Sequence, residues 1–239
     1  MTESTIPQTE PPLSPATWIT TKVLGALRYI SFWAILRGLF AGRNPIFKFR
    51  GDFTPTEVVD VGLSIRRSRA IDIYVMFWTL GSALAVGLVT GVTLSYGWRL
   101  AFYILAAVRL VELIQSPLNT LVFDFHRGRT DANTASSSRL LVLTLLNTIE
   151  FAMWFAALYA LNLPLLTDAN GALDALYFSV MTQFTVGYGD IHPTGALRQL
   201  AILQVGGGFL LAVIVLARAV TTLPAMRGLL DAKDRKSRE

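Results

Sequence analysis

The sequence predicts an all-α membrane protein: four transmembrane helices plus one re-entrant helix and the loop that follows it. Three observations predict it. Hydrophobic residues make up 53% of the 239-residue chain and charged ones only 15%, whereas a soluble domain carries about a quarter charged residues. Four segments, at roughly 72–94, 100–123, 140–161 and 199–220, match the about 20 apolar residues that a helix needs to cross a hydrocarbon core. Between the last two, residues 172–184 are apolar over about half a span, the length of a helix that enters and leaves by one face.

Each element is then placed by charge. Arg66, Arg67 and Arg69 precede the first span, Arg127, Arg129 and Arg139 separate the second from the third, and Arg227, Lys233, Arg235, Lys236 and Arg238 follow the fourth. Only Arg99 and Arg198 fall on the opposite side. Basic loops stay on the cytoplasmic face, so both termini and the 124–139 loop are expected there, in the cell membrane, with the re-entrant segment opening outward. The net charge of +5 is accounted for by these loops, and no nucleic-acid partner is expected. With no cysteine and two separated histidines, His126 and His192, disulfides, thiolate sites and metal-ligand spacing are not expected.

The organisation reads as a polar, proline-rich disordered tail at 1–16, an N-terminal region at 17–71, a peripheral helix pair at 72–123, a cytoplasmic loop at 124–139, a membrane module at 140–221 and a tail at 222–239. No signal peptide is recognised. The apolar stretch 18–40 carries Lys22, Arg28 and Arg37. Placing Arg28 at mid-bilayer costs about 2.5–3.5 kcal/mol on insertion scales, so a helix lying on the cytoplasmic surface is expected.

The run Thr182-Gln-Phe-Thr-Val-Gly-Tyr-Gly-Asp190 carries the chemistry. A cation stripped of water needs oxygen ligands all round, and a membrane offers few besides backbone carbonyls and hydroxyls. Aiming successive carbonyls the same way requires alternating right- and left-handed torsions, which glycine adopts without the cost a Cβ imposes. Gly187 and Gly189, two apart, supply that alternation. The carbonyls of Thr185, Val186, Gly187 and Tyr188 can then line a narrow path, with the Thr185 hydroxyl adding an inner ring. Val186 and Tyr188 point away as braces, and Asp190 concentrates cations at the outer mouth. In a soluble protein a glycine-tyrosine-glycine tract usually marks a turn. Here a half-length helix precedes it and a full span lies on either side.

Thr185-Val186-Gly187-Tyr188-Gly189-Asp190, with Thr182 three residues earlier, resembles the selectivity filter of the potassium channel family. That resemblance covers about a third of the chain and implies a pore of outer helix (140–161), pore helix (172–184), filter (185–190) and inner helix (199–220). It further implies a homotetramer in which K+ is the permeant ion, held at Thr185, Val186, Gly187 and Tyr188, with no cofactor. Tyr177 and Phe178 resemble the aromatic pair that cuffs the filter from behind in many relatives. Met181 stands where some relatives place a carboxylate that bonds the filter aspartate.

Further residues have assignable roles. Asp168 and Asn170 are placed to cap the pore helix, whose C-terminal dipole then favours a cation in the central cavity. Gly206, Gly207 and Gly208 cost about 1 kcal/mol each in a helix. They read either as a gating hinge, which the resemblance implies, or as close packing against the pore helix. Arg109 and Glu112 share a helix face near the middle of the second span, and Glu150 lies at similar depth in the third. An ion pair fastening the peripheral helices to the outer helix is expected, with re-pairing during gating as the alternative. Pro117 is expected to kink the second span. The single arginine there argues against a voltage sensor, and His192 outside reads as solvated.

Passive potassium conduction is therefore expected. A non-selective cation channel usually loses the tyrosine between the two glycines, and a potassium transporter related to this pore carries four reduced filters in one chain. No clustered acid, base and nucleophile points to an enzyme. The short final tail leaves no room for a large ligand-binding domain.

Overall fold

The computed structural model of the protein describes residues 61–91, 94–126 and 134–222, with the single positions 32, 35, 36 and 39. The expected 1–16 tail, the middle of the 124–139 loop and the tail from 223 onward lie outside these residues. In the 18–40 segment the four described positions are helical, and the Phe32 ring lies 4.7 Å from Trp78.

In chain order the elements are α1 (Val61–Gly91), α2 (Tyr96–His126), α3 (Thr134–Leu161), a 3-10 turn (Leu163–Leu165), β1 (Leu166–Thr167), α4 (Ala172–Gln183), β2 (His192–Pro193) and α5 (Leu197–Thr222). Among the described residues three helices are long and apolar enough to cross a membrane: α1 over Ser68–Gly91, α3 over Arg139–Leu161 and α5 over Leu197–Val220. They coincide with the first, third and fourth expected spans. The stretch expected as the second span is helical throughout, and α2 continues through Pro117 to His126. It is not among those three, yet it packs alongside α3. Near its start, Arg99 donates to the Leu161 carbonyl at 3.2 Å and Tyr103 to Asn162 at 2.8 Å, both at the far end of α3. Farther along, Arg109 meets Glu150 in the middle of α3. Thus α2 descends antiparallel to α3.

The helix α1 ascends parallel to α3. Arg139 and Asp72, near the beginnings of their apolar stretches, form an ion pair at 2.6 Å, and farther up the Trp78 and Trp154 rings lie 6.1 Å apart. The molecule is organised around α3, which is buried at Phe151, Ala152 and continuously from Trp154 to Ala160. Alanines at 152, 156, 157 and 160 are all buried; small side chains let neighbouring backbones approach where lipid offers no hydrophobic drive. By contrast α1 exposes Ile73, Phe77, Leu80, Leu84 and Leu88, an apolar stripe at helical spacing suited to lipid.

A short two-stranded sheet accompanies the helices. Strands β1 and β2 pair antiparallel, Leu166 opposite Pro193 and Thr167 opposite His192. The Thr194 backbone N–H and hydroxyl both donate to the Leu165 carbonyl at 2.8 Å. This clasp joins the chain before α4 to the chain after residues 184–191, fixing both ends of the intervening segment.

Candidate functional site

The site begins with the start of α4. Asp168 and Asn170 do not cap it with their side chains: the N-cap is Gly171, in extended conformation, with no side-chain cap bond. Instead Asp174, in the first turn, accepts the Asn170 backbone N–H at 2.7 Å. This is the reaching-back half of a capping box, and it places a negative charge at the positive end of the helix.

The end of α4 sets the backbone of the 185–190 segment. The Thr185 N–H donates to the Thr182 carbonyl at 3.1 Å and the Val186 N–H to the Met181 carbonyl at 2.9 Å. These are the two bonds of a Schellman motif, which requires its outermost turn residue to be left-handed. Thr185 occupies that position, with φ +56°. Gly187 and Gly189 follow at +53° and +82°, whereas Val186 and Tyr188 are not positive. The left-handed torsion therefore recurs at every second residue across the filter, as the glycine spacing predicts at 187 and 189. Thr185 extends it by one step that the sequence did not disclose. A β-branched residue at positive φ is an outlier costing about 1–3 kcal/mol; here the helix cap imposes it.

Residues Phe184 to Asp190 are mostly exposed within one chain: Phe184 is 65%, Val186 47% and Tyr188 72% accessible. Tyr177 donates its hydroxyl to Asp190 at 2.9 Å, so the far end of the 185–190 segment is tied back to α4. That bond, ahead of any charge effect, pushes the Tyr177 hydroxyl pKa upward. Phe178 does not flank the filter within the chain. It is buried edge-on against Tyr159 of α3, ring centres 4.8 Å apart. Thr182 contributes its backbone carbonyl to the Schellman turn.

Behind α4 lies a buried polar cluster that the sequence reading missed. Gln204 of α5 donates its amide to the Ser179 carbonyl at 2.9 Å and the Ser179 hydroxyl at 2.8 Å, and accepts from Tyr159 at 2.9 Å. Ser179 in turn donates to the Ala152 carbonyl at 2.7 Å. A glutamine inside an apolar span was the available signal.

The three glycines differ in surroundings. A Cβ on Gly207 would lie 2.5 Å from the Phe151 ring, and one on Gly208 would lie 2.8 Å from the Gln183 amide; at Gly206 nothing comes within 4 Å. Close approach of the Phe151 ring of α3 thus accounts for Gly207, whereas Gly208 faces the end of the flexible Gln183 side chain of α4. Gly206 has no such packing reason. The helix α5 runs unbroken through all three.

The structure brings Arg109, Glu112 and Glu150 together. The Arg109 guanidinium takes Glu150 with two bonds, at 2.6 and 2.8 Å, and Glu112 with a third at 2.8 Å. Arg109 and Glu150 are almost wholly buried. Tyr74 of α1, Trp78 and Trp154 complete the cage. The Tyr74 hydroxyl accepts from Arg109 at 3.0 Å and lies within hydrogen-bonding distance of Glu112, Trp154 donates to Glu150 at 3.0 Å, and the Tyr74 and Trp78 rings each sit 5.0 Å from the guanidinium. Three helices are fastened by one buried cation. His192, in β2, is exposed.

Residues 141–224 match a family model described as "Ion channel". That segment contains α3 from residue 141 onward, then α4, the alternating loop and α5. Over 47 residues the chain is 40% identical to Protein LctB of Bacillus caldotenax and to Protein LctB of Geobacillus stearothermophilus. Each match covers 20% of this chain and 35% of the relative, so the chain spans about a third of the length of the curated relatives it matches. No solved structure matches.

Proposed function

We propose that the ion-channel domain at residues 141–224 conducts potassium selectively as a homotetramer in the cell membrane. The observation that carries this reading is the left-handed torsion at 185, 187 and 189. Alternation at that interval turns the carbonyls of Thr185, Val186, Gly187 and Tyr188 to one side of the strand. Four such strands around an axis replace the hydration shell of a dehydrated K+ ion. The permeant ion is the cargo and no further cofactor is invoked.

The surroundings support the same reading. The Schellman turn fixes the inner end of the filter, the Tyr177–Asp190 bond its outer end, and the β1–β2 clasp the loop beyond. The basic residues at the near ends of the apolar stretches of α1 and α3 and after α5 support cytoplasmic termini, and the direction of α2 supports a fourth crossing.

Purified full-length protein in liposomes tests the proposal. With opposed potassium and sodium gradients, the reversal potential is expected to follow potassium. A reversal potential indifferent to which ion is present would establish a non-selective cation pore instead. Ion movement by protein shown to be monomeric would establish a transporter.

A further inference from the structure

We propose that Gln204 is the positioning residue that holds the inner end of the filter, by locking the last two turns of α4 to α5. The inference rests on the pore reading above. Its basis is a pair of matched spacings. Ser179 and Gln183 lie one turn apart on α4, and Gln204 and Gly208 lie one turn apart on α5; residues four apart share a helix face. Ser179 receives both short bonds from the Gln204 amide. Gln183 approaches the same amide at 3.5 Å and rests flush on Gly208, where any Cβ would meet it at 2.8 Å. Gln183 is the last residue of α4, and Thr185 opens the filter two residues later.

The amide is held in one orientation. An amide has a donor end and an acceptor end. The Ser179 carbonyl can only accept, so the Gln204 nitrogen must face α4 and the oxygen takes the Tyr159 hydroxyl proton. The residue is fully buried at a depth where no bulk water replaces a lost partner. Such a network holds as a unit, because a half-satisfied buried amide is costly. The height of Ser179, and through one further helical turn the Thr185 carbonyl, is thereby set from α5. Selectivity among ions of one charge depends on where carbonyls sit, so the clamp acts on discrimination rather than on whether a pore exists.

The test compares wild-type full-length protein in liposomes with Gln204→Leu, Ser179→Ala, Tyr159→Phe and the Gln204→Leu/Ser179→Ala double variant. The readout is the potassium-to-sodium permeability ratio from bi-ionic reversal potentials. This ratio is taken only through assembled pores, so a lower yield of folded protein leaves it unmoved. Gln204→Leu is expected to lower the ratio about tenfold, the scale of two lost hydrogen bonds. Ser179→Ala should move it the same way, and the double variant no further than Gln204→Leu alone, since the two act through one contact. Tyr159→Phe should give a smaller decrease. If Gln204→Leu does not assemble, Ser179→Ala and Tyr159→Phe, which each remove one hydroxyl and keep the packing, decide the matter. Variants that assemble and conduct with the wild-type ratio overturn the role of Gln204 and leave the pore reading standing. A wild-type protein that does not discriminate between the two ions overturns both.

Discussion

At Thr185 and Gly187 two different causes produce the same torsion. Gly187 takes φ +53° with nothing within 4 Å of where a Cβ would sit, so the only objection to a side chain is the backbone itself. Gly187→Ala is expected to cost about 1–2 kcal/mol per subunit and to abolish selective flux. Thermal unfolding in detergent and the liposome assay measure the two effects separately. The glycine spacing made this much legible in advance, because a rule about Cβ and carbonyl contact can be applied to letters alone. Thr185 was not legible: its left-handed torsion comes from the bonds that close α4, and nothing in a threonine announces them. A second residue-scale contrast lies in α5. Gly207→Ala drives a methyl into Phe151 and should destabilise by about 1–3 kcal/mol. Gly206→Ala meets open space and should stabilise by up to about 1 kcal/mol. Melting temperatures in opposite directions are the expected result. A melting temperature for Gly207→Ala equal to or above wild type would discard the packing account of that glycine.

At the scale of elements, the Arg109 cage is what binds α1 and α2 to α3. Counting residues to depth was enough to pair Arg109 with Glu150, since both sit near mid-span and an arginine must find a counter-charge there. Tyr74, Trp78 and Trp154 escaped because their role depends on which faces of α1 and α3 meet, and helices this apolar all round give no direction to read. Asp174 escaped for a smaller reason: Asp168 and Asn170 precede α4 at capping distance in sequence, but the chain enters through an extended Gly171, which leaves the capping to the first turn. The two carboxylates of the cage are unequal. Glu150 takes two guanidinium bonds and the Trp154 N–H, while Glu112 takes one guanidinium bond beside Tyr74. Removing one partner of a buried pair costs about 3–5 kcal/mol, and replacing both by apolar groups is often neutral. Glu150→Leu should therefore fall in that range, Glu112→Gln well below it, and Arg109→Met with Glu150→Leu and Glu112→Gln, which leaves no buried charge without its partner, should recover most of the loss. Detergent unfolding monitored by tryptophan fluorescence checks the order, and a triple variant no better than Glu150→Leu would show that the charge cluster is not the fastening.

At the scale of the whole molecule, one chain leaves its most distinctive residues uncovered. Phe184, Val186 and Tyr188 are 65%, 47% and 72% accessible, and in the pore proposed above side chains that turn away from the ion path need a solid backing. Burial of such groups is worth about 25 cal/mol per Å2 of apolar surface, and α5 adds Ile202, Leu203 and Phe209 to the exposed set. Lipid can cover the α5 residues. It cannot satisfy the hydroxyl of Tyr188, two residues from Asp190, which Tyr177 bonds. In the pore proposed above, rotation about an axis beside residues 185–190 carries an α4 of each neighbouring copy behind that strand. Closed rings are the usual outcome of such head-to-tail contacts, and the proposed pore has four members. Light scattering of the purified protein, corrected for bound detergent, should give four chains. Tyr188→Ala should weaken that assembly while the Arg109 cage, internal to each chain, keeps the monomers folded. A stable, folded monomer as the sole species would leave the filter strand without its backing and remove the basis for the ring.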